Sequence, residues 1–203
     1  YRNVPIHGFE LDPKIVEVGK KYFDMNMPNL NIHVGDARLG LEQSPYRYDI
    51  IAVDAYRPPY IPAHMTTQEF FDIIASHLTE EGVLVINSAS VPGDRRLING
   101  LATTIGTVFP SVYTVDIPGS LNTMIFATRQ KTQPENFAIN LLSLSQDPNI
   151  HPLLIATMQT AFTSLKSDYE KTTVFTDDHA PIEWIVNDMV IRFILGGGTE
   201  YLQ

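Results

Sequence analysis

The chain has 203 residues, 44% hydrophobic and 18% charged, with a formal net charge of −9 and no cysteine. That length and apolar share suffice for one domain with a sizeable core. The missing cysteines exclude disulfides, thiolate chemistry and Cys-based zinc or iron–sulfur centres, and the acidic balance argues against a general nucleic-acid binder, which carries a basic face. No run approaches the roughly 18 to 20 uncharged apolar residues of a membrane span, so a soluble chain without membrane contact is expected. Tyr1-Arg2-Asn3-Val4-Pro5 lacks the apolar run and cleavage site of a signal peptide.

A first strand is expected over residues 6–10, and Asp12-Pro13 then supplies an N-cap followed by proline at the first helical position. Ile15, Val16, Gly19, Tyr22 and Phe23 fall on one helical face. A second strand covers 31–34 and ends at Gly35-Asp36, and a short helix follows near 39–43. Residues 48–54, Tyr-Asp-Ile-Ile-Ala-Val-Asp, are apolar on both faces, the pattern of a central parallel strand. Thr66 and Glu69 form a capping box ahead of a helix that buries Phe70, Ile73, Ile74 and Leu78. Glu81-Gly82 ends that helix, and a buried strand occupies 83–87. A helix over 94–109 turns Leu97, Ile98, Leu101, Ile105 and Val108 inward, before a closing pair of strands at 112–117 and 123–128 around Pro118-Gly119-Ser120.

This β-α-β-α series predicts an α/β fold, a mainly parallel sheet with helices on both faces. Beyond Arg129 the pattern becomes helical, near 135–144 and 152–165, with Leu154, Met158, Ala161, Phe162 and Leu165 as a core stripe. Residues 131–203 are therefore expected to be a helical C-terminal extension packed on the domain formed by 1–130. Gly196-Gly197-Gly198 reads as a flexible tail.

Carboxylates recur at strand ends: Glu10 and Asp12 after the first, Asp36 after the second, Asp54 after the third. In an open parallel sheet ligands bind outside the carboxyl ends of the strands, and a carboxylate at such an end commonly grips a ribose through its hydroxyls. Asp12 reads equally as a helix cap. A charge at a buried strand end is rarely left without a task, so Glu10 and Asp54 are the stronger candidates. No Gly-x-x-x-x-Gly-Lys, Gly-x-Ser-x-Gly or His-Glu-x-x-His motif is present. Asp177-Asp178-His179, a metal-like run, reads as caps and turns, and His64 as a packed loop histidine, so no metal is expected.

Gly8-Phe9-Glu10-Leu11-Asp12-Pro13, Val34-Gly35-Asp36-Ala37-Arg38, residues 48–56 and residues 61–71, in this order and spacing, resemble the spermidine/spermine synthase family, as does the late segment 176–183. The resemblance implies a class I methyltransferase-like Rossmann fold and aminopropyl transfer from decarboxylated S-adenosylmethionine to a small amine. It implies that Glu10, with Leu11, binds the ribose and that Asp36, with the Ala37 backbone, contacts the adenine. Asp54 would hold the reacting amine and take its proton, and Tyr56 and Arg57 would line the acceptor pocket. That chemistry needs alignment, desolvation and a carboxylate base, and the sulfonium leaves without a metal. The same donor grips would serve S-adenosylmethionine in a methyltransferase, and a non-catalytic nucleoside-binding domain is the further alternative. A cytoplasmic location is expected, with membrane tethering open to a full-length chain, and a homodimer is compatible with the family.

Two departures stand out. The family carries a second aspartate three positions after the catalytic one, where this chain has Arg57. A cation about 4 Å from an ammonium costs roughly 1 kcal/mol in water and about 4 at an effective dielectric of 20, which disfavours a bare diamine such as putrescine as acceptor. The family's first strand and glycine-rich turn are also not found before Glu10, so the domain over 1–130 is expected to take its first strand from upstream.

Overall fold

Parallel pairing at both sheets places strand ends where the sequence puts its carboxylates. The computed structural model describes residues 3–55 and 61–197. The chain divides into two compact units, one ending at Tyr46 and the next beginning at Arg47.

In the first unit β1 (Ile6–Glu10) runs parallel to β2 (Leu30–Val34), with Ile6 opposite Leu30 and Glu10 opposite Val34. Gly8 permits the contact, because a Cβ there would lie 2.7 Å from Cδ1 of Ile32. Between the strands, α1 (Pro13–Tyr22) starts as its sequence dictates: the Lys14 N–H donates to Asp12 Oδ1 at 2.7 Å, and Pro13 fills a position that needs no N–H. Of its expected inward stripe only Val16 is buried, and Phe23 is 77% exposed. Two strands present too little apolar surface to cover the whole face. Asp36 caps α2 (Ala37–Glu42), accepting from the Leu39 N–H at 3.0 Å.

The second unit holds a five-stranded sheet in the order β3-β4-β6-β5-β7. β3 (Tyr48–Val53) and β4 (Leu78–Ala89) are parallel, joined by a crossover through a 3-10 turn at Ala63–Met65 and α3 (Gln68–His77). β4 begins directly at the end of α3, five residues before the expected start. Its ladder with β3 slips between the Tyr48–Leu78 and Ile50–Val83 pairs, which absorbs the extra residues. The cap of α3 is Thr67 rather than Thr66. Thr67 Oγ1 accepts from the Phe70 N–H at 3.3 Å, while Thr66 Oγ1 donates to Ala63 O at 2.7 Å within the 3-10 turn.

The expectation of a mainly parallel sheet fails here. β5 (Ser111–Asp116) and β6 (Asn122–Thr128) form a hairpin through Gly119, whose φ is +71°. That hairpin inserts β6 between β4 and β5, antiparallel to both, and β7 (Leu165–Lys166) adds a further antiparallel edge. A tight turn can only join antiparallel neighbours, so the parallel series ends at β4. β3 is likewise not a central strand of this sheet but its edge, and Ile50 is 65% exposed.

Helix α4 (Arg96–Ile105) is the centre of the second unit, buried at every position from Leu97 to Ile105. The segment before α7 (Ile182–Leu195) runs alongside it. Thr104 Oγ1 donates to Gly100 O at 2.8 Å and accepts from the Phe175 N–H at 2.9 Å, while Thr103 Oγ1 accepts from the Thr172 N–H at 3.1 Å. A Cβ on Gly100 would lie in the buried ring of Phe175. Helix α7 packs on α4 through Ile182, Ile185, Val186 and Met189. By contrast α5 (Pro134–Ser145) and α6 (Pro152–Ser164) bury none of their residues. They stack Phe137 on Phe162 at 5.9 Å, and their expected core stripe leaves Leu154 44% and Phe162 43% exposed. No helix among the described residues is long and apolar enough to cross a membrane.

Asp116, at the end of β5, ties four segments together. It accepts from Arg95 Nη1 at 2.9 and 3.0 Å, from Thr123 Oγ1 at 2.7 Å and from Lys166 Nζ at 2.8 Å. Burial opposes ionisation of this carboxyl, but the bonds from Lys166, Arg95 and Thr123 outweigh it and hold the pKa at about 2.

Two outcomes are expected. Gly100→Ala should lower stability by about 1–3 kcal/mol in urea unfolding, because displacing the Phe175 ring outweighs the roughly 1 kcal/mol gained in helix propensity. Asp116 has a depressed pKa, so its stabilisation is complete above the unfolded carboxyl value near 3.9 and fades as pH falls toward 2. Discounted for solvent screening of a carboxylate one-third exposed, Asp116→Asn should cost about 1–2 kcal/mol at pH 6 and almost nothing at pH 2.

Candidate functional site

Acidic side chains gather at the carboxyl ends of parallel strands in each unit. In the first, the register that sets Glu10 opposite Val34 puts Glu10 and Asp36 at one rim, and the Gly35 N–H donates to Glu10 O at 2.9 Å to extend the ladder past the strand. Glu10 Oε1 accepts from the Asp12 N–H at 2.9 Å, and its other oxygen has no partner among the described residues. Asp12 itself is the cap of α1. Leu11 is exposed between them, and Ala37 opens α2, so its backbone N–H belongs to the first turn, where no intrahelical acceptor exists. This edge therefore offers a carboxylate for vicinal hydroxyls and, beside Asp36, a backbone donor for a flat polar ring.

In the second unit Asp54 follows the last residue of β3. Because Val53 pairs with Ile86, the next residue of β4, Asn87, comes beside it, and Asn87 Nδ2 donates to Asp54 Oδ1 at 3.0 Å. Asp54 Oδ2 makes no hydrogen bond among the described residues, and the carboxylate is exposed. One oxygen is thus held, while the other is left for a ligand by the described residues. Sequence reasoning missed Asn87. Its signal was an amide at the end of a buried strand, whose meaning depends on which strand lies alongside.

Tyr56 and Arg57 lie outside the described residues. The structure brings Glu10 to Asp36 and Asp54 to Asn87, two pairs that belong to different units. The Asp177-Asp178-His179 run serves α3. Thr67 Oγ1 donates to Asp177 Oδ1 at 2.7 Å, the Asp177 N–H donates to Glu69 Oε2 at 3.0 Å, and Thr176 and His179 exchange backbone bonds of 3.0 and 2.9 Å. Glu69, expected to close a capping box with Thr66, is occupied by this clip. Among the described residues no three His, Asp or Glu side chains are grouped to hold a metal.

The chain is similar to known proteins in sequence and in fold. A family model for the spermine/spermidine synthase domain matches residues 5–140. A probable polyamine aminopropyl transferase of Bifidobacterium longum is 31% identical over the whole chain, which spans 48% of that relative's length. Among solved structures, a probable spermidine synthase from Corynebacterium glutamicum matches 82% of this chain and 64% of its own, at a TM-score of 0.59 and 20% identity. Human methyltransferase-like protein 13 in complex with SAH matches 86% of this chain and 78% of its own, at 0.56 and 22%. Identities this low speak for the fold alone, a methyltransferase-like α/β architecture. The match that covers the strand-end carboxylates and most of the chain goes further, and by it the chain belongs to the spermine/spermidine synthase family.

Proposed function

We propose that this chain carries out aminopropyl transfer from decarboxylated S-adenosylmethionine to a small polyamine-like amine, in the cytoplasm and without a metal. The observation that carries the reading is the Asp54 carboxylate, fixed through one oxygen by Asn87 and open at the other. Asp54 Oδ2 would hold the acceptor's amine and accept its proton. The freed nitrogen pair attacks the carbon beside the sulfonium, the C–S bond breaks with its electrons returning to sulfur, and neutral methylthioadenosine leaves. An anionic base next to a sulfonium also stabilises the cationic donor before reaction. Glu10, with Leu11, would bind the ribose and Asp36, with Ala37, the adenine.

In this reading residues 1–130 form the nucleoside-binding domain, with 131–203 as its extension. The domain would work alone or as a homodimer, Tyr56 and Arg57 lining the acceptor pocket. A second reading, methyl transfer from S-adenosylmethionine, is favoured by Arg57 standing where an acidic residue would grip a cationic acceptor.

Asp54→Asn separates an enzyme from a nucleoside-binding domain. Turnover should fall by about 10²- to 10⁴-fold while affinity for methylthioadenosine stays within about twofold, and full turnover would remove Asp54 as base. Thermal unfolding distinguishes the donors. At about 100 times its dissociation constant a ligand adds roughly 2.7 kcal/mol, a shift of several degrees, and methylthioadenosine should give it where S-adenosylhomocysteine does not. The reverse preference would establish methyl transfer.

A further inference from the structure

Where β4 gives way to α4, the second unit contains an open cavity of about 980 Å³, in the size range of small-molecule sites. Its apolar wall is Val91, Pro92, Met189 and Phe193, and its polar lining includes Asn99, Glu170 and Arg192. Three side chains here have spare capacity. Asn99 is 8% exposed on buried α4, lines the cavity, and its amide has no partner among the described residues. That amide is not shut away from solvent, so a ligand in the cavity can reach it. Glu170 uses only its backbone carbonyl, which accepts from Thr103 Oγ1 at 3.5 Å, and its carboxylate is uncommitted among the described residues. Arg192 donates through Nε to Asp188 at 2.6 Å, which leaves its paired Nη groups, the fork that receives a carboxylate.

The other charges at the cavity are spent. Arg96 is divided between Asp94, which holds its Nε and Nη2, and Asp188, 2.7 Å from its Nη1. Arg95 is taken up by Asp116 and Thr114. An anion alone would face the Glu170 carboxylate, and a polyamine would face three arginines. A molecule carrying both signs on an apolar body satisfies each group.

We propose that this cavity binds a free amino acid with an apolar side chain. Its carboxylate lies on the Nη edge of Arg192, its ammonium on Glu170, and one of these groups also bonds the Asn99 amide. Asp54 is not among the residues that line the cavity, and the proposal does not depend on the aminopropyl-transfer reading.

Calorimetric titration of the 203-residue chain with L-phenylalanine, 2-phenylethylamine and 3-phenylpropionate tests it. Saturable binding of L-phenylalanine is expected, with the amine and the acid each weaker by about tenfold or more, since each lacks one charge-assisted contact. Arg192→Gln should erase the advantage over 2-phenylethylamine, and Glu170→Gln the advantage over 3-phenylpropionate. Both residues are on the surface, so these variants keep the fold even where Asn99→Leu does not. The proposal is overturned by the absence of saturable heat at millimolar L-phenylalanine, by equal affinity for all three probes, or by an affinity that neither variant changes.

Discussion

The burial of α4 from Leu97 to Ile105 is the constraint from which much of the second unit follows. A helix so buried must still provide partners for its polar positions, and this one carries Asn99, Thr103 and Thr104 between its leucines and isoleucines. The two threonines solve the problem by receiving backbone N–H groups of Thr172 and Phe175, which draws the segment ahead of α7 onto the helix. Gly100 leaves room for the Phe175 ring to follow. The path of that segment is thus set by hydrogen-bond demand as much as by apolar burial, and α7 then closes over the remaining apolar face of α4.

A second constraint acts at the sheet. Parallel pairing of β3 with β4 fixes which residue of one strand end lies beside which residue of the other, and so Asn87 becomes the neighbour of Asp54. A slip of one residue would turn the amide to the opposite face. The irregularity near Leu78 is tolerated because it lies at the far end of the ladder, and from Ile50 to Val53 the register is regular. Precision is kept where two side chains must meet.

The legible part of this structure was local. Strand β1, the Asp12-Pro13 helix start, the burial of Leu97, Ile98, Leu101 and Ile105 and the turn at Gly119 could all be read because each depends on a few adjacent residues, although α4 ends at Ile105, short of Val108. Strand order depends on none of them. The hairpin at Gly119 was evident, but nothing near it says that β6 inserts beside β4, so the sheet was expected to be parallel and is mostly not. Thr66 and Thr67 are equivalent as letters, and the preceding 3-10 turn decides between them by using the Thr66 hydroxyl. Leu154 and Phe162 carry a core-like spacing, yet periodicity cannot report whether a partner surface is there to cover them. At the candidate site the carboxylates were legible from their strand-end positions. Asn87 was not, because its importance rests on a neighbour 33 residues away.

The contact between Phe175 and α4 also has a consequence in time. Phe175 donates its N–H to a threonine 71 residues earlier in the chain. At synthesis rates of about 5–20 residues per second, roughly 4 to 14 seconds separate the two on the ribosome. Throughout that interval the Gly100–Thr104 face of α4 has emerged without the segment that seals it. The second unit therefore cannot finish its core during translation of its sheet, and a nascent chain stopped before Phe175 presents an apolar groove to whatever chaperone or neighbouring chain reaches it first.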